Sequence, residues 1–85
     1  MTDGRLQQAL ALHRGRKLED AERLYREILA EEPRHFDALH LVGLVQYETG
    51  RWDAAVASMR AAIAVRPGFA PAFANLGLAL QKLQH

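Results

Sequence analysis

Two histidines five residues apart, His35 and His40, are the side chains of this chain whose type most readily suggests chemistry, as metal ligands or proton carriers. A helical zinc site of the His-Glu-x-x-His kind needs its histidines four apart on one face, with the glutamate as general base. The spacing here is wrong and the glutamate is missing, so both read as turn and surface histidines. The chain also lacks cysteine, a Gly-x-Ser-x-Gly elbow and a glycine-rich phosphate loop, which removes the common nucleophile and nucleotide chemistries. Arg14-Gly15-Arg16-Lys17 could touch phosphate, but a net charge of +1 gives no electrostatic case for nucleic acid. The expectation is a non-enzyme with no catalytic residue, no metal and no cofactor.

The elements that must position such side chains are helical. Alanine and leucine dominate the 85 residues, and the three prolines fall at the edges of periodic segments. All ten acidic residues lie at or before Asp53, so the last third carries only Arg60, Arg66 and Lys82 and is mildly basic and mostly apolar. Its uncharged stretch from Pro67 to Gln81 is too short, and too interrupted by Pro71, Asn75 and Gly77, to span a bilayer. The opening Met-Thr-Asp-Gly-Arg-Leu-Gln-Gln has no basic flank followed by an apolar run, so no signal peptide is expected and the location reads as cytoplasmic.

Pro33 and Pro67 stand 34 residues apart, and with that offset the chain falls on itself: Leu18 on Trp52, Ala21 on Ala55, Tyr25 on Met59, Leu29 on Ile63, Leu39 on Phe73, Val42 on Leu76 and Gly43 on Gly77. One supersecondary unit recurs, and its neighbours must bury its apolar face. Apolar spacing predicts five helices. The first is capped by Thr2 or Asp3 and striped by Leu6, Ala9, Leu10 and His13; the others run over about 18–31, 36–49, 52–65 and from Pro71 to the end. Pro33 ends the second, since the residue before a proline avoids the helical region. The third is apolar nearly all round and must be covered on more than one side.

Leu39-x2-Val42-Gly43, Ala55-x3-Met59 and Pro67, with Phe73-x2-Leu76-Gly77 restarting the count, resemble the tetratricopeptide repeat, a helix-turn-helix unit of about 34 residues. The resemblance covers almost the whole chain. It implies an all-α, right-handed solenoid of antiparallel helix pairs in one array over residues 1–85: a repeat at about 2–35, a second at about 36–69 and a half repeat at 70–85. Gln46 departs from the pattern, which usually has tyrosine there, and the ring appears one place later as Tyr47. Gly15 lies one place earlier in its repeat than Gly50 does in the next.

The resemblance also implies a function, protein–protein interaction, with a peptide or helix held in a concave groove lined by the first helix of each repeat. The groove residues it implies are Leu10 on the first helix, Asp37, His40, Leu41, Leu44, Tyr47 and Glu48 on the third, and Asn75, Leu78 and Lys82 on the fifth. Leu10, Leu44 and Leu78 recur at the 34-residue offset, so they form a leucine row if the groove exists; the bland alternative is that they pack helix against helix. The carboxylate clamp of chaperone-binding members is missing, because Leu41 and Leu44 occupy two of its positions. The asparagine ladder of glycosyltransferase-associated members needs asparagine once per repeat at the position of Asn75, but the equivalents are Gln7 and Leu41, and one rung is not a ladder.

A solenoid normally closes on a polar outer face. The fifth helix is instead apolar, so Ala72, Ala79, Leu80 and Leu83 are expected at an uncovered edge that makes the chain a homo-oligomer. The rival expectation is that the chain is the N-terminal targeting array of a larger enzyme, such as a bacterial glycosyl- or other transferase, since another full period would end at position 101.

Overall fold

A computed structural model of the chain describes residues 4–84. Among them are five helices and no strand: α1 (Arg5–Arg14), α2 (Leu18–Glu31), α3 (Phe36–Glu48), α4 (Trp52–Val65) and α5 (Ala70–Leu83). The bounds expected for α2, α3 and α4 hold to within one residue. The expected caps Thr2 and Asp3 lie outside the described residues. Pro71 sits in the first turn of α5, where its missing N–H costs no helical hydrogen bond. Connections of three or four residues force each helix to run back along its predecessor, and the result is an all-α solenoid in the manner the 34-residue period requires.

The turns repeat as faithfully as the helices. Lys17 N–H donates to the Leu12 carbonyl at 2.8 Å, and 34 residues later Arg51 N–H donates to the Gln46 carbonyl at 2.8 Å. Each six-to-one bond closes a helix around a residue in the left-handed region, and those residues are Arg16 (φ 63°) and Gly50 (φ 80°). The one-place offset between Gly15 and Gly50 is thereby explained: Gly15 has an ordinary φ of −80°, and the first repeat places an arginine where the turn favours glycine.

Apolar packing joins consecutive pairs into one stack. Ala9, Ala21, Tyr25, Val42 and Val45 fill the space between α1, α2 and α3; Phe36, Leu39 and Ala62 fasten α3 to α4; Ala55, Val56 and Ala79 fasten α4 to α5. Small residues at the crossings set how close the helices come. The tightest approach is at Gly43, where an added Cβ would lie 2.8 Å from Met59 Cε and 3.3 Å from Ser58 Cβ. Gln46 is buried beside it, and its Oε1 accepts a 2.6 Å hydrogen bond from Ser58 Oγ. A polar side chain thus fills the position where tyrosine is usual, with a hydroxyl to satisfy it.

Polar side chains pin one repeat to the next. Buried Glu22 on α2 accepts from Arg51, in the turn between α3 and α4, with Nη1 at 2.9 Å, and from Arg26 Nη2 at 2.7 Å. The Arg51 hydrogen bond leads in holding the Glu22 carboxyl below its usual range, against the opposing effect of burial. Three residues along α2, the Tyr25 hydroxyl lies 3.2 Å from His13 Nδ1, and His13 Nε2 lies 2.8 Å from Glu48 Oε1. Tyr25 is fully buried, and that burial, with the Glu48 charge adding to it, pushes its hydroxyl up to about 12. The chain His13, Tyr25, Glu48 therefore ties three helices together and presents no accessible nucleophile.

Candidate functional site: the first-helix row and the outer face of α5

Helices α1, α3 and α5 are the first members of successive units, and the side chains that matter for recognition are those their packing leaves free. Leu10 and Leu44 are half-buried, whereas Leu78 is 46% exposed. Asp37 and Glu48 lie toward water on α3, Glu48 held by His13 and, at 3.7 Å, by Arg16. Lys82 on α5 is turned over the Trp52 ring, 5.8 Å from its centroid. The row is apolar along its length and carries charges of both signs beside it.

Three of the expected groove residues are largely occupied with packing. Leu41 lies against the α1–α2–α3 cluster and Tyr47 against the α4–α5 cluster. His40 is half-buried in a ring cluster that sequence reasoning missed. Its imidazole is nearly parallel to Phe36 at 5.9 Å and edge-on to Phe69 at 5.4 Å, and the Arg66 guanidinium stands 4.3 Å from the Phe36 ring centroid. Asn75 Nδ2 lies 3.1 Å from His40 Nε2, so the amide donates to the neutral imidazole and links α5 to α3. Burial holds His40 below the usual imidazole range, against the weaker upward pull of Asp37. His35 serves the backbone instead, because its Nδ1 accepts from Ala38 N–H at 3.1 Å and caps α3.

The edge of α5 requires a correction. Ala72 and Ala79 are both fully buried, and Leu80 is partly buried against Ala55, Val56 and Ala79, so these residues face α4 and do not form an open edge. The helix is rotated from the expected orientation, because α4 selects the alanine side for close packing. The exposed large apolar side chains among the described residues are Phe73 (50%), Leu78 and Leu83 (41%). Phe73 and Gly77 lie four apart on one face, and a Cβ added at Gly77 would meet nothing within 4 Å.

Shallow surface depressions of about 360 and 320 Å³ lie at the turns. The larger is lined by residues 16–20 and the smaller by 50–54 together with Leu83. They are one period apart, each at the start of a second helix, so they are the dent left by a recurring turn. Neither gathers a nucleophile with a base, and among the described residues no group of three His, Cys, Asp or Glu side chains could hold a metal ion.

The helix pairs, the recurring turns and the Gly43 crossing all carry a 34-residue period, and a family description for the tetratricopeptide repeat matches residues 6–70 and again 43–82. The chain belongs to the tetratricopeptide repeat family. Such repeats are generally protein–protein interaction modules. Among curated proteins, none matches the chain. Within the described residues of this tetratricopeptide array, no helix is long and apolar enough to cross a membrane.

Proposed function

We propose that the chain is a non-catalytic binding module whose first-helix row takes an apolar peptide or an amphipathic helix. The observation that carries this reading is the state of the leucines that recur with the repeat. Leu78 stays 46% exposed on a helix whose alanines Ala72 and Ala79 are fully buried, and Leu10 and Leu44 occupy the same register on α1 and α3. A ligand with two or three apolar anchors fits such a row, and Asp37, Glu48 and Lys82 supply charges beside it for orientation. Leu41, Tyr47 and His40 act beneath the row as its support.

The test is a selection of peptides against the folded chain followed by calorimetric titration of the best binder. Leu44→Glu and Leu78→Glu each remove the burial of one anchor, about 1.5–3 kcal/mol, which corresponds to at least a tenfold loss of affinity. Unchanged affinity in both variants, with unchanged circular dichroism, refutes the reading.

A second surface supports self-association, as expected of the fifth helix, although through different residues. The half-exposed ring of Phe73 beside the open Gly77 is the observation that favours it.

A further inference from the structure

Between α3 and α5 the first-helix row carries a polar pair, and one period earlier the same two positions are leucines. His40 and Asn75 fall on Leu6 and Leu41, both of which lie against the cluster between α1, α2 and α3. Leucines therefore serve the fold at this joint, and packing alone gives no reason for an imidazole and an amide. The pair stands beside the row, with His40 one turn from Leu44 on α3 and Asn75 one turn from Leu78 on α5.

Hydrogen-bonding capacity decides what the pair presents. Asn75 Nδ2 lies 3.1 Å from His40 Nε2. An amide nitrogen only donates, so Nε2 carries the lone pair and the ring proton is on Nδ1. Phe36 and Phe69, with ring centroids 5.9 and 5.4 Å from the imidazole, hold the ring in place. Asn75 makes no other hydrogen bond among the described residues, and none of their buried side-chain polar atoms lacks a partner. Its Oδ1 therefore reaches solvent and is open to a ligand. A second proton on the ring would set N–H against N–H, and the amide relieves this by turning over so that Oδ1 accepts from Nε2.

We propose that His40 decides which atom Asn75 shows to a ligand on the row. The neutral ring turns Oδ1 outward, so the ligand must place a hydrogen-bond donor there; the protonated ring turns the NH2 group outward and rejects that donor. The inference rests on the first-helix row being the binding surface and adds a polar, pH-dependent specificity to it. Few charges surround the ring. Asp37, three residues back on α3, favours the proton, whereas burial opposes it more strongly and places the change below the usual value of 6.5. Arg66, in the turn before α5, stands over Phe36, and the single charge of α5, Lys82, stands over Trp52. From α2 and α4 the neighbouring apolar cluster receives only Leu29, Ala61, Ala62 and Val65.

The test uses a capped peptide selected at pH 7 against the folded chain, without histidine or carboxylate side chains, so that the ligand does not titrate. Its affinity is read by calorimetry from pH 7 to 5 while NMR follows the His40 ring nitrogens. At pH 7 Nε2 is expected to be unprotonated and close to the Asn75 amide protons, and binding is expected to weaken about tenfold as the ring takes up its proton. Asn75→Asp shows an acceptor in either orientation, so its affinity is expected to hold over that range. Loss of folding would weaken both chains alike. Equal weakening in both, constant affinity in the parent, or a ring that stays neutral to pH 5 overturns the switch and leaves the row standing. If neither Leu44→Glu nor Leu78→Glu weakens the peptide, the row fails and the switch with it.

Discussion

Gly43 and Gly77 occupy one position of the repeat in two environments, which makes a paired substitution to alanine a direct measure of helix crossing. Alanine in a helix interior is favoured over glycine by about 0.8–1.0 kcal/mol, and that gain applies equally to both sites. At Gly77 nothing opposes it, because the new Cβ meets no atom within 4 Å. At Gly43 the Cβ would stand 2.8 Å from Met59 Cε and 3.3 Å from both Met59 Sδ and Ser58 Cβ. The tip of a methionine moves readily on a surface, but Met59 is 1% exposed and has little free volume to enter. Overpacking of this kind costs about 1–3 kcal/mol. Gly77→Ala is therefore expected to stabilise by about 1 kcal/mol, and Gly43→Ala to range from neutral to about 2 kcal/mol destabilising. For a domain of this size 1 kcal/mol moves Tm by about 4–8 °C, so melts followed by circular dichroism separate the two variants. They should be run dilute, where α5 is unpaired. Equal rises in Tm would refute the reasoning, since they would mean that α4 does not crowd α3 at Gly43.

Two further predictions concern the turns and the ring cluster. Arg16 holds a left-handed φ of 63° that costs a non-glycine residue roughly 1–2 kcal/mol, so Arg16→Gly should raise stability to urea by about 0.5–1 kcal/mol after allowance for the more flexible unfolded chain; Gly50→Ala should lower it by a similar amount. His40 resists protonation in the folded state because it is buried. Its stabilising contribution is thus complete above the unfolded value near 6.5 and declines as pH falls from there toward the depressed folded value. Urea melts from pH 7 to 5 should show this decline in the parent and a flatter profile in His40→Gln; identical profiles would remove His40 from the account.

Local signals make much of the fold legible. Proline at 33 and 67 and apolar spacing within single helices locate α2 and α4 at their observed bounds, because helix ends and amphipathic faces are set by neighbours three or four residues away. What depends on distant residues is hidden. Glu22 reads as a solvent-facing helical glutamate until Arg51, 29 residues later, is found on its carboxylate. His40 reads as a surface histidine until Phe69 and Asn75 close around it. The fifth helix misleads for a related reason. With apolar or small residues around most of its circumference, its own periodicity cannot say which side is buried; α4 decides, by admitting Ala72 and Ala79 and leaving Phe73 outside.

That choice of side also determines how the two proposed surfaces relate. Phe73 and Leu78 are five residues apart, which on a helix of 3.6 residues per turn separates them by about 140°. The row facing a ligand and the face open to a second copy are therefore different sides of α5, and the buried alanines occupy the side between α5 and α4. Asn75 belongs with the row, because its amide reaches back to His40 on α3; Gly77 belongs with the open face, because nothing approaches it. A ligand and a second copy can then occupy one helix together. Self-association through that open face would present two first-helix rows in a single particle, and for a partner carrying two apolar segments this raises the effective concentration of the second contact without any new one.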